Sequence, residues 1–104
     1  MKPVEPATAQ GSDITTSSPA ISVVIPAYNE ENAIVPTIEK VRSVLGEAGI
    51  SYEIVVVNDG SKDGTLAAAK TTGVQIVDFP HNGGYGRALK AGIAVTHAPL
   101  VAII

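Results

Sequence analysis

The chain contains no cysteine and no tryptophan, and only 4% of its 104 residues are aromatic. The lack of cysteine excludes disulfide bonds and every metal or redox site built on thiolates. The formal net charge is −3 and the basic residues form no cluster, so we expect no nucleic-acid partner. There is no apolar run of transmembrane length and no apolar core of a signal peptide. These absences favour a cytoplasmic location.

The residues that are present fit a single globular α/β domain, since 45% are hydrophobic and 16% are charged. Residues 1–20 are the exception, because they hold Pro3, Pro6 and Pro19 and almost no large apolar side chain. Such a segment buries too little surface to offset its chain entropy. We therefore predict a disordered N-terminal tail over residues 1–20 and a folded part over residues 21–104.

The folded part alternates β-branched runs with helical patterns. The predicted strands are 21–25, 54–57, 74–77 and 100–104, and the predicted helices are 33–48, 65–72 and 85–96. We expect Pro26 to end the first strand, because it cannot donate to a ladder, and Asn32 to cap the first helix. Helical crossovers imply parallel strands joined right-handedly. The pattern β-α-β-α-β-α-β predicts the N-terminal half of a Rossmann-like doubly wound sheet, truncated after the fourth strand.

Ligands of open α/β sheets bind beyond the carboxyl ends of the strands, so the turns after the strands are the candidate sites. The turn 26–32 brings Tyr28, Asn29, Glu30 and Glu31 together, which suits a flat polar ligand such as a nucleobase. A plain turn followed by a helix cap explains the same residues. The sequence leaves both interpretations open.

The turn 58–65 follows the most apolar strand. Asp59 can accept hydrogen bonds from a base or a ribose, and Asp63 suits a cap of the next helix; an ordinary Asp-Gly turn is the alternative. Lys62 lacks the flanking residues of a phosphate-binding P-loop.

The turn 81–87 is rich in glycine, and exposed N–H groups at a helix start can bind phosphate. Arg87 and Lys90 add positive charge there. Because Gly84-Tyr85-Gly86 only half matches a dinucleotide-binding motif, we expect no NAD site, and a flexible turn remains the alternative.

Asp78 follows the third predicted strand, where a receiver domain carries its phospho-acceptor. A solvated loop acid is the simpler interpretation. His81 and His97 have no partner histidine at metal-ligand spacing, so both are expected at the surface or in a cap.

Taken in order, the three turns resemble the N-terminal part of the inverting family 2 glycosyltransferases, which have a GT-A fold. The stretches that carry the resemblance are 23–31, 55–65 and 81–92. The Gly-Tyr-Gly form of the third stretch resembles the polyprenyl-phosphate sugar transferases, including dolichol-phosphate mannosyltransferase-like enzymes.

This resemblance implies sugar transfer from a nucleotide-diphosphate donor to an acceptor, a polyprenyl phosphate in the narrower group, with inversion. It also implies nucleotide-binding roles: nucleoside pocket Pro26, Ala27, Tyr28 and Glu30; base contact Asp59; covering segment Gly84, Gly86 and Arg87. In this family the metal-binding Asp-X-Asp follows the fourth strand and the catalytic base lies further on, beyond Ile104. We therefore assign no catalytic residue or metal ligand to this chain.

The complete enzyme is expected to use Mg²⁺ or Mn²⁺ and to lie at the cytoplasmic face of a membrane. One alternative is a half-domain that binds a nucleotide or a partner chain without turnover. The other is a receiver-like signalling domain.

Overall fold

The computed structural model describes residues 18–104. Its elements are β1 Ile21–Ala27, α1 Ile34–Glu47, β2 Tyr52–Asp59, α2 Thr65–Lys70, β3 Gln75–Phe79, α3 Tyr85–Ala94 and β4 Leu100–Ile103. The predicted alternation of strands and helices is confirmed. Residues 1–17 of the predicted tail lie outside the described residues. Ala20, the last residue of that tail, donates its N–H to the Ser51 carbonyl at 3.0 Å, so the ordered contacts begin before β1.

The four strands form one parallel sheet in the order β3-β2-β1-β4. β1 and β2 are therefore the inner strands, which is why their Val and Ile runs are buried on both faces. A receiver domain would place its first strand between the second and the third. Here β3 pairs with β2, so the receiver-like alternative is wrong in its topology.

β1 continues through Pro26 to Ala27, two residues beyond its predicted end. Consecutive residues of a strand direct their backbone groups to opposite neighbours. The carbonyl of Val24 accepts a bond from Ile104 on the β4 side, and Pro26 faces the same side. The pairing of β1 with β4 ends at Val24, so the missing N–H of Pro26 removes no ladder bond.

Helices cover both faces of the sheet. On one face, α1 packs Ile34, Ile38 and Val41 against the odd-numbered core residues of β1 and the even-numbered ones of β2. On the other face, α3 packs on Val24, Val55 and Val57. The approach of α3 is close, because a Cβ at Gly92 would lie 2.5 Å from Val24 Cγ1. This contact fixes where the start of α3 lies relative to the sheet.

The N-terminus of α1 differs from the prediction. Ala33, not Asn32, occupies the cap position, and its side chain makes no capping bond. Instead, the N–H groups of Ala33 and Ile34 donate to the carbonyl of Glu30 at 3.0 and 2.9 Å. At the other end, α1 ends at Glu47, and Gly49 follows the cap residue Ala48 with φ +72, a conformation that glycine adopts readily after a helix.

β4 forms an outer edge of the sheet among residues 18–104, and it leaves much apolar surface in solvent. Leu100 is 63% exposed, and Val101, Ile103 and Ile104 are exposed as well. No helix within the described part of the chain is long and apolar enough to cross a membrane.

Candidate functional site

Because all four strands are parallel, their carboxyl ends meet at one edge of the sheet. Three connections leave this edge: the first turn (residues 28–33), the second turn (residues 60–64) and the third turn (residues 80–84). The sequence predicted ligand-binding residues in these segments and in the ends of the strands and helices that flank them. β1 and β2 are paired up to Ala27 and Asn58, which places the first and second turns side by side.

Asn29 connects the first turn to the second through its backbone and its side chain. Its N–H donates to Ser61 Oγ at 2.9 Å, and its Oδ1 accepts the N–H of Lys62 at 2.8 Å. Its φ of 54° is the only positive φ of a non-glycine residue within residues 18–104. Asparagine tolerates this backbone conformation better than most residues, which explains its use at this position.

The two glutamates of the first turn extend the same connection. The Glu30 N–H donates to Thr65 Oγ1 at 2.8 Å, and the Glu31 N–H donates to Asp63 Oδ2 at 3.3 Å. In return, the Gly64 N–H donates to Glu31 Oε1 at 2.6 Å. Together with the two bonds of Asn29, five hydrogen bonds join the first turn to the second turn and to Thr65 at the start of α2. The side chains of Asn29 and Glu31 are thus engaged within the protein, and Glu30 keeps an exposed carboxylate.

Gly64, not Asp63 as predicted, occupies the cap position of α2, and Asp63 acts from one residue earlier through its bonds to Thr65. Its carboxylate accepts the N–H of Thr65 at 3.0 Å and also the Thr65 hydroxyl proton. The hydroxyl bond holds the pKa of Asp63 below its ordinary value of 3.8, in spite of partial desolvation. Sequence reasoning did not assign roles to the hydroxyls of Ser61 and Thr65, although an acid two residues before a threonine is a recognised turn pattern.

Asp59 is 4% exposed and connects the second turn to the third. Its Oδ1 accepts the Gly83 N–H at 2.9 Å and Arg87 Nη2 at 2.9 Å. Its Oδ2 accepts the Gly84 N–H at 3.0 Å and Asn82 Nδ2 at 3.2 Å. Burial raises the pKa of Asp59, but the hydrogen bonds from Gly83, Arg87 and Gly84 outweigh it and leave the pKa below 3.8.

A phosphate bound by N–H groups at the start of α3 was one of the two interpretations of the glycine-rich third turn. The structure has an anion at this position, and it is the protein's own carboxylate: Gly83 and Gly84 donate to Asp59. A carboxylate is favoured there by the dipole of the helix. Gly86 lies in the first turn of α3 and would have open space around a Cβ.

Arg87 is held by more than its ion pair with Asp59. Its Nη2 also donates to the carbonyl of His81, and its guanidinium lies 3.9 Å from the centroid of the Phe79 ring. The side chain nevertheless remains 42% exposed. It thus forms the solvent-facing part of the Asp59 cluster, which we define as Asp59, Asn82, Gly83, Gly84 and Arg87.

Gly60 allows the third turn to lie against the second. It has φ +73, and a Cβ there would lie 2.3 Å from the backbone N of Asn82. Both the backbone conformation and the close approach require glycine. The Asp-Gly pair that appears in the sequence as a turn signal is therefore also a packing contact between the second and third turns.

Three of the remaining predicted residues line a groove at the carboxyl end of β1. Pro26, Ala27 and Glu30 line it together with Ile25, Ala33, Ile34, Thr37 and Ile104. Tyr28 is 41% exposed and follows Ala27 directly. The structure therefore brings the eight predicted site residues to one edge of the sheet. Three line the groove and three belong to the Asp59 cluster, while Tyr28 and Gly86 belong to neither.

No group of three or more His, Asp or Glu side chains that could hold a metal ion occurs within residues 18–104. The most buried carboxylate of the site, that of Asp59, is already surrounded by four donors. The described residues do not fit a metal centre, and we assign them no metal ligand.

A second polar cluster lies at the opposite edge of the sheet, and sequence reasoning did not detect it. Ser22 is fully buried and donates to Glu53, which also accepts the N–H of His97. His97 Nδ1 lies 3.0 Å from Glu53 Oε1, and the Ala98 N–H donates to Ser22 Oγ. These contacts fasten the connection between α3 and β4, so His97 has a structural partner rather than a ligand role.

A family model described as Glycosyl transferase family 2 matches residues 22–104. The chain belongs to glycosyl transferase family 2. The match covers all three turns and every predicted site residue, so the family resemblance carried by the sequence motifs is confirmed.

Curated relatives include enzymes that are named for lipid-phosphate acceptors. A dodecaprenyl-phosphate galacturonate synthase of Rhizobium johnstonii is 31% identical over 105 residues, which cover 95% of this chain and 30% of that protein. A dolichyl-phosphate β-glucosyltransferase of Trichomonas vaginalis is 34% identical and covers 81% of this chain and 29% of that protein. The chain spans between about a quarter and a third of the length of such family members.

Solved structures of the family share the fold. Glucosyl-3-phosphoglycerate synthase from Mycobacterium tuberculosis, in complex with Mn²⁺, uridine diphosphate and phosphoglyceric acid, matches with a TM-score of 0.68. It is 33% identical, and the match covers 83% of this chain and 32% of that one. The predicted GT-A fold is confirmed by this similarity together with the parallel four-stranded sheet.

Proposed function

We propose that residues 21–104 form the nucleotide-binding half of a glycosyltransferase domain. In this proposal, the edge formed by the three turns receives the nucleoside part of a nucleotide-diphosphate sugar. One observation carries it: three segments far apart in sequence meet at one edge through side-chain and backbone hydrogen bonds. Such an edge is where open α/β sheets bind their ligands.

In the proposed arrangement, Asp59 accepts a hydrogen bond from a base N–H, and the first turn with the groove at the end of β1 takes the remainder of the nucleoside. The exposed ring of Tyr28 offers a flat apolar surface, while Glu30 at the rim of the groove offers an acceptor for ribose hydroxyls. A flat polar ligand needs this combination of a ring and a few hydrogen-bonding groups.

We propose a uridine diphosphate sugar as the donor. The supporting observation is that a solved relative, 33% identical to this chain, contains uridine diphosphate in its structure. We propose no particular sugar, because the relatives transfer different sugars according to their names.

For the acceptor we propose a polyprenyl phosphate. The Gly84-Tyr85-Gly86 form and two relatives named for dodecaprenyl and dolichyl phosphate support it. The competing candidate is phosphoglycerate, the ligand of the structural relative. Because a lipid phosphate lies in a membrane, the polyprenyl proposal includes a location at the cytoplasmic membrane face.

We propose that the complete protein uses a divalent cation. Solved relatives contain Mn²⁺ or Mg²⁺ together with uridine diphosphate, and such an ion stabilises the charge that develops on a leaving diphosphate. The described residues do not fit a metal site. We therefore propose that residues 1–104 alone bind nucleotide without sugar transfer.

The test is an NMR titration of the ¹⁵N-labelled chain with uridine, uridine diphosphate and inorganic pyrophosphate, each with and without Mg²⁺. We expect shifts confined to the three turns, with a dissociation constant on the order of 1 mM, or about 4 kcal/mol, for the nucleotide. The expected effect of Mg²⁺ is small. Tight binding that depends on Mg²⁺ contradicts the placement of the metal outside these residues.

Matched variants test whether the NMR shift changes arise from binding at the proposed site. Asp59→Asn is expected to lose nucleoside binding, whereas Asp78→Asn makes the same change on neighbouring β3 and should retain it. Asp78 is an exposed acid whose Oδ1 accepts from Asn58, and this acceptor is retained in asparagine. Equal binding by both variants, or transfer of sugar by the wild-type chain, would overturn the assignment.

A further inference from the structure

The carboxylate of Asp59 has no acceptor position left for a ligand. Two carboxylate oxygens offer about four lone-pair sites, and four donors occupy them. A nucleobase that is to bind Asp59 must therefore displace one of these donors. The question is which donor can leave.

Two of the four donors cannot leave without moving α3. The N–H groups of Gly83 and Gly84 belong to the backbone at the start of that helix. The helix is fixed by its close contact with the sheet, where a Cβ at Gly92 would come within 2.5 Å of Val24. These two bonds are therefore retained when a ligand arrives.

The other two donors, Asn82 and Arg87, are side chains that can leave, and Arg87 is the charged one. Its side chain is 42% exposed and reaches Asp59 through a flexible stem, so a rotation of side-chain torsions is sufficient to release Oδ1. Its departure also ends the contact with the Phe79 ring and the bond to the His81 carbonyl. The freed guanidinium then lacks an anion.

We propose that Arg87 and the base compete for Asp59, and that Arg87 thereby makes the site prefer a nucleoside diphosphate to a nucleoside. This inference rests on the proposed function and adds a specificity-determining role to it. A nucleoside that displaces Arg87 offers the guanidinium no replacement anion. The diphosphate of a nucleotide does, because its oxygens accept charge-assisted hydrogen bonds from arginine.

The experiment compares uridine with uridine diphosphate, without metal, by NMR titration of the wild-type chain, Arg87→Ala and Lys90→Ala. Lys90 is the matched control, because it is an exposed cation one turn further along α3 with no bond to Asp59 among the described contacts. We expect Arg87→Ala to bind uridine about threefold more tightly than the wild type does, and to lose most of the preference for the diphosphate. Lys90→Ala should leave uridine binding unchanged.

The outcomes separate this inference from the proposed function. If neither ligand shifts the three turns of the wild type or of Arg87→Ala, the proposed function fails. If the wild type binds uridine and a folded Arg87→Ala binds it equally or more weakly, the competition is overturned while the proposed function stands. An equal gain of uridine affinity in Lys90→Ala overturns it as well, since charge alone would then account for the effect.

A second variant keeps the test valid if Arg87→Ala does not fold. Phe79→Leu removes the ring beneath the guanidinium and retains both the positive charge and an apolar side chain. We expect a smaller gain in uridine affinity, up to about twofold, with the preference for the diphosphate retained. Unchanged or weaker uridine binding by this variant counts against the competition.

Discussion

The first and second turns are held differently from the third turn. Five bonds join the first turn to the second turn and the start of α2, and three of them use neutral acceptors, namely Ser61 Oγ, Thr65 Oγ1 and Asn29 Oδ1. The third turn depends on one carboxylate, that of Asp59, which accepts from two of its backbone N–H groups and from two side chains. One half of the site is thus fixed by a distributed network, and the other half is fixed by a single charge.

This difference indicates where the site is rigid and where it can exchange partners. Removal of one bond between the first two turns leaves the others in place. A change at Asp59 affects all four of its donors together, because they share the same two oxygen atoms.

Gly60→Ala is expected to have the largest effect, since it acts where the second and third turns touch. The new Cβ would lie 2.3 Å from the Asn82 backbone N at a φ of +73. We expect the free energy of unfolding to fall by about 3 kcal/mol, from overpacking and an unfavourable backbone conformation. Denaturant unfolding measures it. Gly46→Ala in α1 is the control, since no atom lies within 4 Å of its Cβ, and a comparable loss there would contradict the argument.

Asp59→Asn should lower the free energy of unfolding by about 2 kcal/mol. The asparagine would direct an NH₂ group at donors that now bond to a carboxylate, and the third turn would lose its common acceptor. Asp78→Asn is expected to change stability by less than about 0.5 kcal/mol, because Asp78 is exposed. Equal losses for the two variants would indicate that Asp59 is no more central than any acid at this edge.

Two substitutions of Asn29 separate its backbone role from its hydrogen bonds. Both Asn29→Gly and Asn29→Ala remove the acceptor for Lys62, but only alanine is strained at a φ of 54°. We expect Asn29→Ala to cost about 1 kcal/mol more than Asn29→Gly. Nucleotide shifts in the third turn should remain in both variants, and their loss would show that the two halves of the site are coupled.

We expect the free energy of unfolding to fall in acid, because two carboxyl groups have lowered pKa values in the folded chain. The pKa values of Asp59 and Asp63 are lowered in the folded chain, so the stability that they contribute is present above an unfolded pKa near 3.8. It is lost as the pH falls through the folded values. We expect stability to decline from about pH 5 downwards, and Asp59→Asn to have a shallower dependence on pH. If the free energy of unfolding of Asp59→Asn depended on pH as strongly as that of the wild type, Asp59 would not be a source of the acid sensitivity.

The sequence was sufficient for the order of elements and for the position of the three turns. Strand ends were less accurate, because Asn58 and Asp59 belong to β2 only through pairing with β1 and β3, which a local pattern does not reveal. The partners of Asn29 and Glu31 were also missed. These side chains bond to residues more than thirty positions away, so their roles depend on which strands become neighbours.

The Ser22 and Glu53 contact shows the same limit at the opposite edge. Both residues precede apolar runs and carry no motif, yet they face each other once β1 and β2 pair in register. Asp59, by contrast, was identified by its motif. The motif did not predict that the third turn and Arg87 already donate hydrogen bonds to the Asp59 carboxylate.

Residue-resolved amide hydrogen exchange across the acid range tests the central contrast most directly. It compares the N–H groups of Asn29, Glu30 and Lys62, which have neutral acceptors, with those of Gly83 and Gly84, which share Asp59. After correction for intrinsic exchange rates, we expect the protection of the Gly83 and Gly84 amides to fall as Asp59 is protonated. The amides of Asn29, Glu30 and Lys62 should remain protected. Loss of protection at all five amides over one pH range would contradict it.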